Sequence, residues 1–78
     1  MARKSVAESK LVEIINSELS KHEECKDCRV DGVMGAEDDE MGCNWTAPTL
    51  TCSGTPTDVC LPVYLIVINR IRQEFNLA

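Results

Sequence analysis

A chain of 78 residues carrying 13 Asp and Glu against eight Lys and Arg is small and acidic, with a net charge of −5 and a pI of about 4.7. That balance argues against nonspecific nucleic-acid binding, which depends on cations neutralising phosphates. The longest unbroken apolar run is about eight residues where a membrane span needs about twenty, so no membrane role is expected.

One small α+β domain is expected over residues 1–78. A core of that size barely offsets an ordering cost of about 120 kcal/mol, at ~1.5 kcal/mol per residue. Additional support is therefore expected from a disulfide, a metal or a dimer. The opening Met-Ala-Arg-Lys-Ser has no apolar signal core, which makes the cytoplasm the expected compartment and reduced thiols the expected state. Five cysteines, an odd number, do not close a disulfide framework, and leave thiols, metal ligands or redox groups.

From about Ser5 to Lys21 the spacing predicts a helix. Ala7, Leu11, Ile14, Ile15 and Leu19 share one face, while Lys4, Lys10, Glu13, Ser17 and Lys21 lie mainly outside it. Glu18 and His22 intrude on the apolar side, four apart and able to touch, and a cation at His22 suits the helix C-terminus. Cys25-Lys26-Asp27-Cys28 follows, then Arg29 to Met34 as a strand. Gly35 to Gly42 reads as the polar connection of a hairpin. Its run Glu37-Asp38-Asp39-Glu40 lacks the ligand spacing of an EF-hand and is expected to stay solvated.

Cys43 to Cys52 is the second strand, with Trp45 as an anchor against the last helix. Trp45 and Ala47 share a face but Leu50 and Cys52 have the other parity, a conflict that a bulge at Pro48 reconciles. Asn44-Trp45-Thr46 matches a glycosylation sequon that has no use without a secretory signal.

The last helix is announced by Thr55-Pro56-Thr57-Asp58, a capping-box-like start, and is expected from about Cys60 to Phe75 with Pro62 in its first turn or at a kink. Leu61, Tyr64, Leu65, Ile68, Ile71 and Phe75 fall within an arc of about 120°, the width of a core-facing stripe. Val59, Val63 and Ile66 project from the opposite side and form a candidate interaction surface.

The expected order is α-β-β-α, with two helices on one face of a β-hairpin. An exposed strand edge could pair with a second chain and make a continuous four-stranded sheet in a dimer.

Among chemical constellations the thiols stand out. His22, Cys25 and Cys28 with Cys43 or Cys60 could supply four ligands to a structural zinc ion. Cys43 and Cys52 would lie roughly 30 Å apart on a straight strand and cannot both join such a site. Ordinary thiols are the plainer reading. A thiol redox protein is a further one, although a thioredoxin-like C-x-x-C sits at a helix N-terminus and this one follows a helix. No nucleophile, base and orienting group occur together, and no Gly-rich phosphate loop is present, so no catalytic residues are assigned. The expected function is a non-catalytic domain that binds a protein partner or itself and needs no cofactor.

Gly42-Cys43-Asn44-Trp45, Cys52-Ser53-Gly54, Cys60-Leu61-Pro62 and the ending Phe75-Asn76-Leu77 resemble small uncharacterised bacterial proteins of unknown function. The resemblance covers about half the chain. It implies a stand-alone bacterial α+β domain and carries no activity to any residue. The double-stranded-RNA-binding fold also begins and ends in helices, but this chain lacks its third strand and basic helix start.

Overall fold

The computed structural model describes residues 4–37, 42–46 and 50–78. It is a mixed helix and strand structure. The elements are β1 (Lys4–Val6), α1 (Glu8–Ser20), a 3-10 turn (Glu23–Cys25), β2 (Cys28–Val30), β3 (Met34–Gly35), β4 (Trp45–Thr46), β5 (Leu50–Cys52), α2 (Thr57–Glu74) and β6 (Phe75–Leu77).

The first helix begins three residues later than its periodicity suggests, because Lys4–Val6 is taken into a strand. β1 runs parallel to β6, with Lys4 opposite Phe75 and Val6 opposite Leu77. Pairing between opposite ends of a chain leaves no trace in local spacing. Within α1 the expected face holds: Leu11, Ile15 and Leu19 are fully buried, and Ile14 packs at the margin. Ala7 is exposed and serves as the N-cap. Glu18 does not pair with His22. Its carboxylate accepts a 2.9 Å bond from Lys21 Nζ, which holds it below the usual carboxylate range against a smaller opposing effect of burial.

The hairpin is present but split into two short antiparallel ladders. β2 pairs with β5, Cys28 opposite Cys52 and Val30 opposite Leu50, and β3 pairs with β4, Met34 opposite Thr46. Val30 and Met34 are four residues apart along one side of the hairpin, as are Thr46 and Leu50 along the other. Val30 and Leu50 face inward in one ladder, while Val33 and Trp45 are buried at the other. Pro48, where a bulge was expected, lies outside the described residues.

Two asparagines close the backbone of these short strands. On α1, the Asn16 amide donates to Val30 O at 3.1 Å and its carbonyl accepts from Val30 N at 2.8 Å. Asn44 does the same for Leu77, donating to its carbonyl at 2.9 Å and accepting from its N–H at 2.8 Å. Each side-chain amide replaces a missing strand neighbour, which satisfies backbone groups that would otherwise cost free energy when buried. The sequon asparagine thus has a structural task, and a glycan on its Nδ2 would displace the bond to Leu77.

α2 begins at Thr57 and holds Pro62 in its second turn. Pro56 is the N-cap, with no side-chain cap; the Thr55 hydroxyl donates instead to Asp27 Oδ2 at 3.4 Å. Pro62 removes only the bond to the Asp58 carbonyl, a small loss so near a helix start.

The phase of α2 corrects the sequence expectation. Its buried residues are Cys60, Tyr64, Val67, Ile68 and Ile71. Tyr64, Ile68 and Ile71 keep the places expected of them, and Phe75 packs on the core from β6. Leu61 and Leu65 do not, and Cys60 and Val67 stand in for them. Cys60, at the head of the buried 60–64–67–71 stripe, is bonded to Cys25 on the 3-10 turn. The core lies where α1 packs on β2, α2 packs on β5, and the two helices meet.

Tyr64, the sole tyrosine, is buried with its hydroxyl lacking a hydrogen-bond partner among the described residues. Burial raises its pKa above the ordinary 10.0. Folding thus favours the neutral phenol, a contribution complete below pH 10 and lost as the pH rises through the folded value. An ultraviolet titration should show the tyrosine ionising above its free value in the native protein. Tyr64→Phe should be neutral or up to about 1 kcal/mol stabilising, because it removes an unsatisfied buried hydroxyl. A clear loss of stability in Tyr64→Phe would contradict this environment.

Candidate interaction surface

The first half of α2 presents apolar residues to solvent. Val59 is 45% exposed, Leu61 41%, Leu65 58% and Ile66 69%, and Pro62 lies exposed between them. At 100° per residue these positions occupy the half of the helix turned away from Cys60, Tyr64, Val67 and Ile71. Further along, the same outer half becomes polar through Asn69, Arg70 and Gln73. Asp58 stands in the first turn and Arg72 in the last. The exposed apolar side chains thus form one run on one helical face, edged by charge at each end.

Of the residues expected on this surface, Val59 and Ile66 are there. Val63 is partly buried and packs against the core. Leu61 and Leu65 were assigned to the core by periodicity and belong instead to the surface. The signal that could have found them was Cys60, one position from Leu61, because a half-cystine fixes a helix face more strongly than a leucine does.

The thiol constellation separates. Cys25 is disulfide-bonded to Cys60, and Cys28 to Cys52. Members of the C-x-x-C pair therefore belong to different bridges, and the motif is not a dithiol couple. Cys43 is in neither disulfide; it is buried, donates weakly to Trp45 O at 3.5 Å, and accepts from Arg72 Nε at 3.4 Å. His22 is exposed as the N-cap of the 3-10 turn. Among the described residues no group of three His, Cys, Asp or Glu side chains is arranged to hold a metal. The set His22, Cys25, Cys28, Cys43 and Cys60 is thus not gathered, since Cys25, Cys28 and Cys60 have spent their sulfurs on disulfides.

The two bridges differ in setting. Cys25 and Cys60 are fully buried, whereas Cys28–Cys52 joins opposed positions of β2 and β5 with Cys52 partly exposed. Both brace α2, one directly at Cys60 and one through the strand that leads into it.

Concave features carry less. A cleft of about 210 Å³ between Ile14 and Glu18 of α1 and Val67, Arg70 and Glu74 of α2 is smaller than ordinary ligand pockets. A wider, open depression of about 620 Å³ borders Cys28, Lys26 and Arg29. Lys26 there pairs with Glu23, Arg29 with Asp31, and the Asn16 amide is engaged by Val30. Among the described residues, no helix is long and apolar enough to cross a membrane. Compared with protein-family models, with curated proteins and with solved structures, the chain matches none.

Proposed function

We propose that this chain is a non-catalytic interaction domain in which two disulfides hold α2 so that its outer face docks a protein partner. The observation that carries the reading is the exposure of Val59, Leu61, Leu65 and Ile66 on one side of a helix whose other side closes the core. A surface helix ordinarily hides its apolar side chains, and holding four of them in water costs free energy that docking recovers.

The disulfides bear on the setting. Both bridges persist only where thiols are not kept reduced, so we infer an oxidising compartment in place of the cytoplasm. A zinc or redox role for Cys25 and Cys28 would require both bridges to open first. The second arrangement considered from the sequence, a sheet continued across a dimer, is disfavoured because β2 and β5 are only three residues long and Asn16 already occupies the backbone of Val30.

A photo-crosslinking residue placed at Ile66 should give a discrete adduct in the producing cell. That adduct should be abolished by Leu65→Glu and absent when the same residue replaces exposed Glu13. No adduct at Ile66 would remove the docking reading.

A further inference from the structure

We infer that the two disulfides form a relay, in which a thiol from outside opens the accessible bridge and the cysteine it releases then opens the sealed one. The relay is independent of what the outer face of α2 binds. Access differs along the set: Cys25 and Cys60 are fully buried, Cys28 is nearly so, and Cys52 is partly exposed. The depression of about 620 Å³ is bordered by Cys28 and by Thr51 and Ser53, the chain neighbours of Cys52, which gives an external thiol room to approach this bridge. The Cys25–Cys60 bridge offers such a thiol no exposed surface.

The turn between Cys25 and Cys28 joins the two bridges. Lys26 and Asp27 form that turn, with the two cysteines at its ends. The ends of a four-residue turn lie within about 7 Å, which is the reach of a disulfide. Both side chains belong to one buried cluster. Noncovalent bonds keep the turn in place when the bridge beside it opens. Ser53 N–H donates to Asp27 O at 3.1 Å, the Thr55 hydroxyl donates to Asp27 Oδ2, and Asn16 holds Val30 on α1. A thiolate freed at Cys28 therefore stays within reach of Cys25, at an effective concentration that a solvent thiol does not attain at a sealed sulfur.

An external thiolate attacks Cys52 Sγ; the Cys28–Cys52 bond breaks, its electron pair leaves on Cys28, and a mixed disulfide forms at Cys52. The Cys28 thiolate attacks Cys25 Sγ, which forms Cys25–Cys28 and breaks Cys25–Cys60, whose electron pair leaves on Cys60. A second external thiolate attacks the outer sulfur of the mixed disulfide and frees Cys52, and Cys52 and Cys60 take protons from solvent. The net change oxidises two external thiols to one disulfide and leaves the chain with one bridge and two new thiols. Cys60 is suited to leave because it is the fourth residue of α2, near the positive end of the helix, which favours negative charge on sulfur. Its release unfastens α2 from the 3-10 turn, so the sealed tether responds to thiol outside the protein.

Reduced glutathione added to the purified, oxidised chain tests the relay, with acid quenching, alkylation and peptide mapping at successive times. Glutathione bound at Cys52 should appear first, followed by a species with a Cys25–Cys28 disulfide and an alkylated Cys60. In the Cys28→Ala, Cys52→Ala protein the relay is gone, and Cys25–Cys60 should open at least about tenfold more slowly than in wild type, even though that variant is less stable. Opening by local unfolding predicts the reverse, because loss of the outer bridge loosens the fold. An equal or faster rate in the variant therefore overturns the inference. So does a wild-type time course in which Cys25–Cys60 persists after Cys28 and Cys52 are both free and no Cys25–Cys28 species forms, a result that stands whether or not the double variant folds.

Discussion

Replacing Cys25 and Cys60 together by alanine is expected to cost about 4 kcal/mol of stability, a large share of what a chain this short can hold. The bridge spans a sequence separation of 35, so cutting it returns the conformational freedom of a long loop to the unfolded chain. The same arithmetic gives about 3.5 kcal/mol for Cys28–Cys52, with its separation of 24. The two differ more in access than in entropy. Cys52 is partly exposed while Cys25 and Cys60 are sealed, so a mild thiol reductant should open Cys28–Cys52 first, and mass spectrometry of alkylated intermediates would show the order.

Losing the buried bridge has a second consequence that a simple staple would not have. α2 owns two apolar stripes, and the tether at Cys60 lies on the buried one, so it is expected to fix the helix phase. Leu61 and Leu65 lie one position, about 100°, from Cys60 and Tyr64. In the Cys25→Ala, Cys60→Ala protein the helix is free to turn and bury leucine in place of alanine. Leu65→Glu should then be more destabilising in that background than in the parent, where Leu65 is exposed. Urea denaturation of the four proteins measures this coupling. Additive effects would show that the helix phase does not depend on the bridge.

Trp45→Ala is expected to cost about 3–5 kcal/mol, the range for truncating a fully buried aromatic residue. The ring fills the core, and its Nε1–H donates to Phe75 O at 2.9 Å. Beside it, Asn44 holds Leu77 by two bonds and Asn76 donates to Gly42 O at 3.1 Å. These contacts dock β6, and β6 in turn holds β1. The variant should therefore lose amide-exchange protection at Leu77 and along β1 and β6 before it loses α1. Trp45→Phe, which keeps most of the buried ring but removes the donor to Phe75, should fall between the variant and wild type. The tryptophan is unique in the chain, so circular dichroism, not fluorescence, must follow unfolding. Uniform loss of protection over the whole chain would contradict a local role for the clamp.

Much of the scaffold was legible from spacing. The α1 face through Leu11, Ile15 and Leu19, the existence of α2, the hairpin and Trp45 as a buried anchor all follow from interactions between near neighbours or from large differences in hydrophobicity. The exposed face was half legible. Val59 and Ile66 could be read as excess apolar side chains, but Leu61 and Leu65 could not, because a helix apolar on most sides has no unique inward phase.

By itself, then, the sequence determined that this acidic chain mixes two helices with short strands, and that α2 carries more apolar surface than one core requires. Only the tertiary structure decided which side of α2 faces water, that four of the cysteines form two bridges, and that the two chain ends meet as β1 and β6. Periodicity records energy that depends on adjacent turns. The choice of partner for Cys60, or of a strand for Lys4–Val6, depends on residues brought together only after the chain has closed long loops, and local spacing holds no information about which loops close.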